Sequence, residues 1–391
     1  MNKYDFDTVF SRRKSDSIKW SRFPEDVLPL WVADMDFPCP PVVADSINKR
    51  LAHPFFGYTG EDRPLIDAIC KWVADRHAWK IEPEWIVLMP GVVTGMNWVA
   101  QTFVKPGDAL CFHTPVYPPF FHISECIGTN RVEIPMVVHS GKYQIDFDRF
   151  ESSIDPSIKL FVLCNPHNPV GRVFTRTELE DINEICLKNG TLVCSDEIHA
   201  DLVFSGRHHI PMASISETAM HNTITLMAPS KTFNIPGLHF SFAVIPDQEL
   251  RESLESSRKG IIGWPTMLAN EAVRAVYSEG AEWLDELLLY LEANCDFLIG
   301  FLKENISEIN VIKPEGTYLA WLDCRKLNLL PDPFHFFLSN AKVALNDGLT
   351  FGESGKGFVR LNFGCPRSIL ADALFRMAEA VNSSKNKSSI L

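Results

Sequence analysis

Five short apolar runs, each closing on a turn, constrain this 391-residue chain more than any other feature. They read IVLMPG (86–91), ALCFHTP (109–115), LFVLCNP (160–166), TLVCSDE (191–197) and ITLMAPS (224–230). Each is nearly continuous in apolar residues, which predicts strands buried on both faces, as in a parallel sheet. Helical patterns lie between them. Residues 92–103 put Val92, Met96, Val99 and Phe103 on one face, and residues 177–187 open with a Thr-Glu-Leu-Glu start suited to capping a helix. Strand alternating with helix predicts an α/β fold, a mostly parallel sheet flanked by helices.

Past residue 280 the pattern changes. An amphipathic helix over roughly 281–305 leads into shorter strands, NVIKP, TYLAWLD, KVALNDG and GFVRLNFG, which predict a smaller α+β domain. The expected division is an N-terminal segment (1–44) packing with the small domain, a large domain (45–285) and a small C-terminal domain (286–391). No repeat is found, and the tail SSKNKSSIL is expected to fray.

Composition narrows the function. The net charge of −12, with Ser11-Arg-Arg-Lys14 as the most basic run, excludes nucleic acid and anionic membrane as partners. Ten scattered cysteines form no C-x-x-C pair, so neither a zinc site nor a disulfide framework is expected, and no metal. Reduced thiols, no apolar leader and no run of membrane-spanning length predict a cytoplasmic protein.

The polar residues carry more. Gly91, Tyr117, Asn168, Asp196 and Ser230-Lys231 all follow predicted strands, and open α/β sheets bind ligands outside the carboxyl ends of strands. A lysine buried there becomes a nucleophilic amine. An enzyme holding pyridoxal phosphate (PLP) on a lysine needs that amine, an anion at the pyridine nitrogen, a donor to the ring oxygen and a phosphate cradle. Lys231, Asp196, Asn168 and the helix start at Gly91, Val92 and Val93 fill those needs, with Tyr117 as a stacking plate. Taken singly, each has an ordinary reading: Asp196 as an N-cap, Asn168 as an Asx-turn, Tyr117 as a core aromatic. Their shared strand-end position and order carry the weight.

NPHNPVG, SDEIH, APSKTFNIPGL and VRLNFG, in that order, resemble the class I/II aminotransferase family of fold-type I PLP enzymes over nearly the whole chain. The resemblance implies that Lys231 forms the Schiff base, Asp196 meets the pyridinium, Asn168 the ring oxygen, and Arg360 the substrate carboxylate as a bidentate fork. Three departures stand out: His199 replaces the usual tyrosine, His239 the phosphate-binding arginine, and Ala228 the serine three residues before the lysine. DEIH, SKTFNIPGL, PLWVADMDFPCP and HPFFGYTG look like the cystathionine β-lyase, or cysteine–sulfur lyase, branch (MalY/PatB type). That branch implies His199 at the cofactor, Val32 and Ala33 beside the substrate, and a phosphate held by backbone N–H groups, Ser230 and Tyr58 of a neighbouring subunit. The active unit would then be a homodimer with shared sites.

The expected activity is α,β-elimination from cystathionine, cystine or related cysteine thioethers, with aminotransfer as the alternative on the same residues. No second arginine is assigned to a distal carboxylate. An NAD enzyme is opposed by the missing G-x-G-x-x-G turn, and a noncatalytic binding protein by the intact set of site residues.

Overall fold

The computed structural model describes residues 3–60 and 62–388. Its central sheet has seven strands among the described residues. These are β1 (Ile86–Met89), β2 (Ala109–Thr114), β3 (Asn130–Pro135), β4 (Ile158–Cys164), β5 (Leu192–Asp196), β6 (Thr223–Met227) and β7 (Ser241–Val244). The order is β1-β7-β6-β5-β4-β2-β3, with β7 antiparallel to both neighbours and the other pairings parallel. All five apolar runs are strands, and β2 and β6 are buried at every residue. The two further strands lack that signal. β3 is an edge strand that exposes the polar residues Asn130, Arg131 and Glu133, and β7 is a four-residue run set behind a proline turn.

Helices cover the faces: α1 (Pro41–Leu51), α2 (Arg63–His77), α3 (Val92–Phe103), α4 (Arg176–Asn189), α5 (Met267–Glu279), α6 (Ala281–Asn305) and α7 (Arg367–Ser388). α3 and α6 fall where the patterning puts them. α4 starts earlier than expected, because its capping box is Thr175 with Glu178 rather than the later threonine. Arg172 decides this, donating to both Glu178 carboxylate oxygens at 2.8 Å and so fixing Glu178 for Thr175. The tail also differs from expectation. α7 continues through Ser388, with Ser384 donating to the Val381 carbonyl at 2.7 Å and Lys385 paired to Glu308, while residues 389–391 of the expected frayed tail lie outside the described residues.

A second sheet, β8 (Asn310–Val311), β9 (Leu319–Asp323), β10 (Asn346–Asp347) and β11 (Phe358–Asn362), is antiparallel in the order β8-β9-β11-β10. The KVALNDG run splits. Val343–Ala344 pairs in parallel with Leu28–Pro29 instead of joining that sheet. This brings residues 31–37 as a strap between the two sheets. The strap is clamped from behind by the fully buried Lys19, whose Nζ donates to Asp36 and to the Asp34 carbonyl, both at 2.7 Å.

The NPHNPVG turn meets the second half of the chain at Gly171. It holds φ +70°, and the Glu315 N–H donates to its carbonyl at 2.7 Å. A Cβ there would sit 2.3 Å from Pro314 Cβ and 2.9 Å from Pro314 Cα. Gly171→Ala should therefore lose about 2–4 kcal/mol of stability, from left-handed strain and overpacking together. Urea unfolding read as a shift in midpoint at unchanged slope checks this, and a wild-type midpoint would contradict it.

Candidate active site

A cavity of about 390 Å³ opens at the carboxyl ends of the parallel strands. Ala33, Gly91, Val92, Val93, Tyr117, Asn168, Asp196, His199, Ser230 and Lys231 line it, so most of the residues singled out in the sequence meet there. The sheet explains why. Cys164 pairs with Asp196 and Asp196 with Leu226, so the ends of β4, β5 and β6 lie level and the loops leaving them share one rim. Lys231 follows β6 on the short helix Pro229–Thr232.

Each wall has a distinct chemistry. Gly91 is the N-cap of α3 and offers no side-chain cap, which leaves the first N–H groups of a twelve-residue helix to a ligand. Asp196 is buried, and its Oδ1 accepts from the Ile198 N–H at 3.1 Å. Burial raises its carboxyl to about 7, against the opposing effects of that N–H and of Lys231. Burial likewise lowers the Lys231 amine to about 8, with Arg360 adding to the effect and Asp34 and Asp196 opposing it. Lys231 Nζ donates to the Ala33 carbonyl at 2.6 Å. The His199 imidazole is lowered to about 3 by burial and by the charges of Lys231 and Arg360, so it is neutral, and its Nδ1 is buried without a partner.

Arg360 is set behind the cavity wall rather than on it. Its Nη1 donates to Asn168 Oδ1 at 3.0 Å, and its Nη2 to the Trp31 carbonyl at 2.8 Å and Asn346 Oδ1 at 2.5 Å. Phe351 covers it, with the guanidinium carbon 5.0 Å from the ring centroid, and Nε is buried without a partner. Because Asn168 spends its oxygen on Arg360, its amide nitrogen is the donor left for the cavity. Val32 also stands back from the lining, its carbonyl taken by Asn362 Nδ2 at 2.7 Å. Tyr58 is 110% exposed within a fully exposed stretch of chain, away from the cavity of its own chain.

Sequence reasoning missed several residues. Thr94, Cys164, Ile198, Pro236 and Phe240 line the cavity, and His239, noted earlier only as a departure, lines it too. Asn346, Asn362 and Tyr318 act at longer range. Asn362 holds the Val32 and Asp34 carbonyls, and Tyr318 donates to the Ala33 carbonyl at 3.0 Å. Asn362 stood in the VRLNFG motif and was open to notice there. Tyr318 carried no local signal.

These residues suit PLP on the structure's own terms. The helix start takes an anion, the buried Asp196 carboxyl suits a protonated ring nitrogen, His199 Nδ1 is buried without a partner, and the Asn168 amide nitrogen is left as a donor. The sheet order and the lysine at the end of β6 define the fold-type I architecture of PLP enzymes. The chain belongs to the aminotransferase class I and II family, whose profile matches residues 25–376. It is 41% identical over 386 residues to cystathionine beta-lyase PatB of Bacillus subtilis (strain 168), covering 97% of this chain and 100% of that protein. Identity to protein MalY of Escherichia coli (strain K12) is 33% over 392 residues, covering 97% and 99%. Cystalysin of Treponema denticola, whose crystal structure contains a pyridoxal 5'-phosphate cofactor, matches with a TM-score of 0.94 at 37% identity, covering 97% of this chain and 99% of that one. Within the family the chain falls in the MalY/PatB-type branch.

The buried acid has a stability consequence. The folded chain holds the Asp196 proton up to about 7 while the ordinary carboxyl releases it at 3.8, so without cofactor stability falls as pH rises through that interval. Asp196→Asn should therefore stabilise the cofactor-free chain at pH 8, on the order of a few kcal/mol, and leave it unchanged near pH 4. Urea midpoints at the two pH values decide it. A variant no more stable than wild type at pH 8 would show that the carboxylate is compensated.

Proposed function

We propose that this chain is a PLP-dependent carbon–sulfur β-lyase, cleaving cystathionine, cystine or related cysteine thioethers to pyruvate, ammonia and a thiol. The observation carrying this reading is that Lys231 and Asp196 line one cavity with the free start of α3, in a chain 41% identical to a cystathionine beta-lyase. Bound PLP supplies an electron sink for the pair left when a proton leaves the substrate Cα.

The chain's own residues do the rest. The N–H groups of Val92, Val93 and Thr94 and the Ser230 hydroxyl hold the phosphate, in place of the arginine that His239 replaces. Asp196 keeps a proton on the pyridine nitrogen, and the ion pair answers the cost of burying its carboxylate. Asn168 donates its amide to the ring oxygen, with neutral His199 beside it, and Tyr117 covers a ring face. The guanidinium of Arg360 binds the substrate carboxylate by giving up a contact to Asn168 or Asn346. Lys231 Nζ, with an amine titrating at about 8, takes the Cα proton as general base. The pair left at Cα forms the Cα=Cβ double bond as the Cβ–S bond breaks, the thiolate leaves with the pair of that bond, and water converts the remaining fragment to pyruvate and ammonia. The setting we infer is the cytoplasm, since all ten cysteines are free and seven are buried.

Aminotransfer uses the same residues, and the family description keeps it in view. Turnover distinguishes the two. Cystathionine or cystine should yield pyruvate and a thiol over many turnovers with no keto acid added, and Lys231→Ala should lower the rate by more than the about 10²–10⁴ of one general base, because two roles are lost. Turnover only in the presence of 2-oxoglutarate or another acceptor would make this an aminotransferase.

The fully exposed Tyr58, with Phe55 and Phe56 also exposed beside it, supports a homodimer in which Tyr58 reaches the neighbour's phosphate. Tyr58→Phe should then weaken PLP binding by roughly 1.5–3 kcal/mol, the worth of one hydrogen bond to a charged acceptor. Equilibrium dialysis measures it. A fully active monomer in ultracentrifugation would contradict the shared site.

A further inference from the structure

The strap over the cavity presents five successive carbonyls, and each receives a side-chain donor. Arg360 Nη2 holds Trp31, Asn362 Nδ2 holds Val32 and Asp34, and Asn234 Nδ2 holds Met35 at 2.9 Å. None of those donors is the amine that the cofactor would take. The Ala33 carbonyl is different, because one of its donors is Lys231 Nζ, which leaves whenever its nitrogen is engaged elsewhere. The other donor is the Tyr318 hydroxyl at 3.0 Å. A carbonyl oxygen has two lone pairs, so it accommodates both.

We propose that Tyr318 is a positioning residue for Lys231, keeping the Ala33 carbonyl aimed at the place the free amine must occupy to act on the substrate Cα. The inference rests on the reading of Lys231 as the cofactor's amine. Tyr318 suits the task because it cannot move easily. It is 1% exposed, its carbonyl accepts from the Phe363 N–H at 2.9 Å, and its ring meets the His199 ring edge-on at 6.1 Å. With the amine away, the Ala33 carbonyl is buried, and a buried carbonyl without a donor turns to find one. The Tyr318 hydroxyl removes that reason to turn. When the amine returns, its acceptor is already oriented.

The opposite effect is physically possible, and the two differ in sign. If the hydroxyl merely competed with Lys231 for the oxygen, its removal would strengthen the bond to the ammonium and raise the amine's pKa. If the hydroxyl aims the oxygen, its removal loses that bond, which favours the charged form, and the pKa falls. The charged and titratable groups facing Lys231 are Asp34 on the strap, Asp196 at the end of β5, His199 in the following turn and Arg360 on β11, with Tyr117, Cys164 and His239 lining the same cavity. Tyr318→Phe alters none of them. Burial and Asp34 push the Tyr318 hydroxyl well above its ordinary range, so the substitution deletes a hydrogen bond and no charge.

The test uses the full-length chain freed of PLP. Trace labelling with acetic anhydride across pH, with the Lys231 peptide quantified by mass spectrometry, gives the amine's midpoint, expected at about 8 in the wild type. In Tyr318→Phe the midpoint should fall by about one pH unit, the equivalent of one hydrogen bond to a charged donor. In the reconstituted enzyme kcat should fall about tenfold with KM and PLP affinity unchanged, as for a misaimed base. A midpoint that stays or rises overturns the proposal, and so does a loss of PLP binding matching the loss of kcat. The lyase reading is judged separately. A lowered midpoint in a chain that performs no elimination sinks that reading alone, whereas elimination with an unmoved midpoint sinks only the role of Tyr318.

Discussion

The hydrogen bond from Lys231 to the Ala33 carbonyl, 2.6 Å long, is where the two halves of the molecule meet. The large sheet delivers the lysine at the end of β6, and the small sheet delivers Tyr318, Arg360 and Asn362 to the other side of the same strap. Neither half can assemble the site alone, because the strap belongs to the N-terminal segment and is irregular. It needs outside partners for its carbonyls, and it recruits them from both sheets. Behind it, Asp36 takes Lys19, the Trp20 indole N–H at 2.7 Å and Arg12 at 3.1 Å. Buried ion pairs add little net stability, but a lost partner leaves an uncompensated charge. Such a cluster therefore fixes one geometry for the strap rather than adding to the stability of the fold.

The cavity repeats this logic with its charges left incomplete. Burial pushes Asp196 up to about 7, Lys231 down to about 8 and Arg360 down to about 10. All three shifts move toward neutrality, the response of ionisable groups that lack full compensation. A ligand with an anionic end at the helix start and a protonated nitrogen at Asp196 restores the balance. Binding such a group and stabilising the fold are then the same event, since what favours the folded, loaded state draws on the same free energy.

Local chemistry made much of this legible in the sequence. The apolar runs before Gly91, Asn168, Asp196 and Lys231 are strands, and the residues after them gather at one rim, because parallel strands in register must put their ends together. What escaped was carried by distance. Tyr318 and Ala33 are 285 residues apart, and Asn362 and Val32 are 330 apart. No periodicity or turn signal reports a partner at that separation. The same holds for β3, whose exposed polar face reads as a loop until β2 supplies its ladder. Arg360 was found through its motif, but its setting behind Asn168 and Trp31 was not, since that depends on where the strap runs. Tyr58, read from a motif alone, has no role visible within one chain.

What the chain does with a substrate follows from where the Cα proton goes. In the proposed reaction Lys231 takes it, making Nζ an ammonium, and the structure offers that ammonium the Ala33 carbonyl as well as the field of Asp34. Both favour keeping the proton on nitrogen. Aminotransfer requires Lys231 to give the proton up to a second carbon, against that stabilisation. Elimination asks less, because a thiolate leaves with the pair of the broken Cβ–S bond and is a weak enough base to need no proton at the moment the bond breaks. Within the proposed mechanism the Ala33 carbonyl and Asp34 only partly offset the burial that lowers the amine to about 8, so what biases the shared stage toward losing sulfur is the readiness of the thiolate to leave wherever the substrate carries it on Cβ. Substrates without a leaving group there, such as alanine, have only the slower proton return open to them.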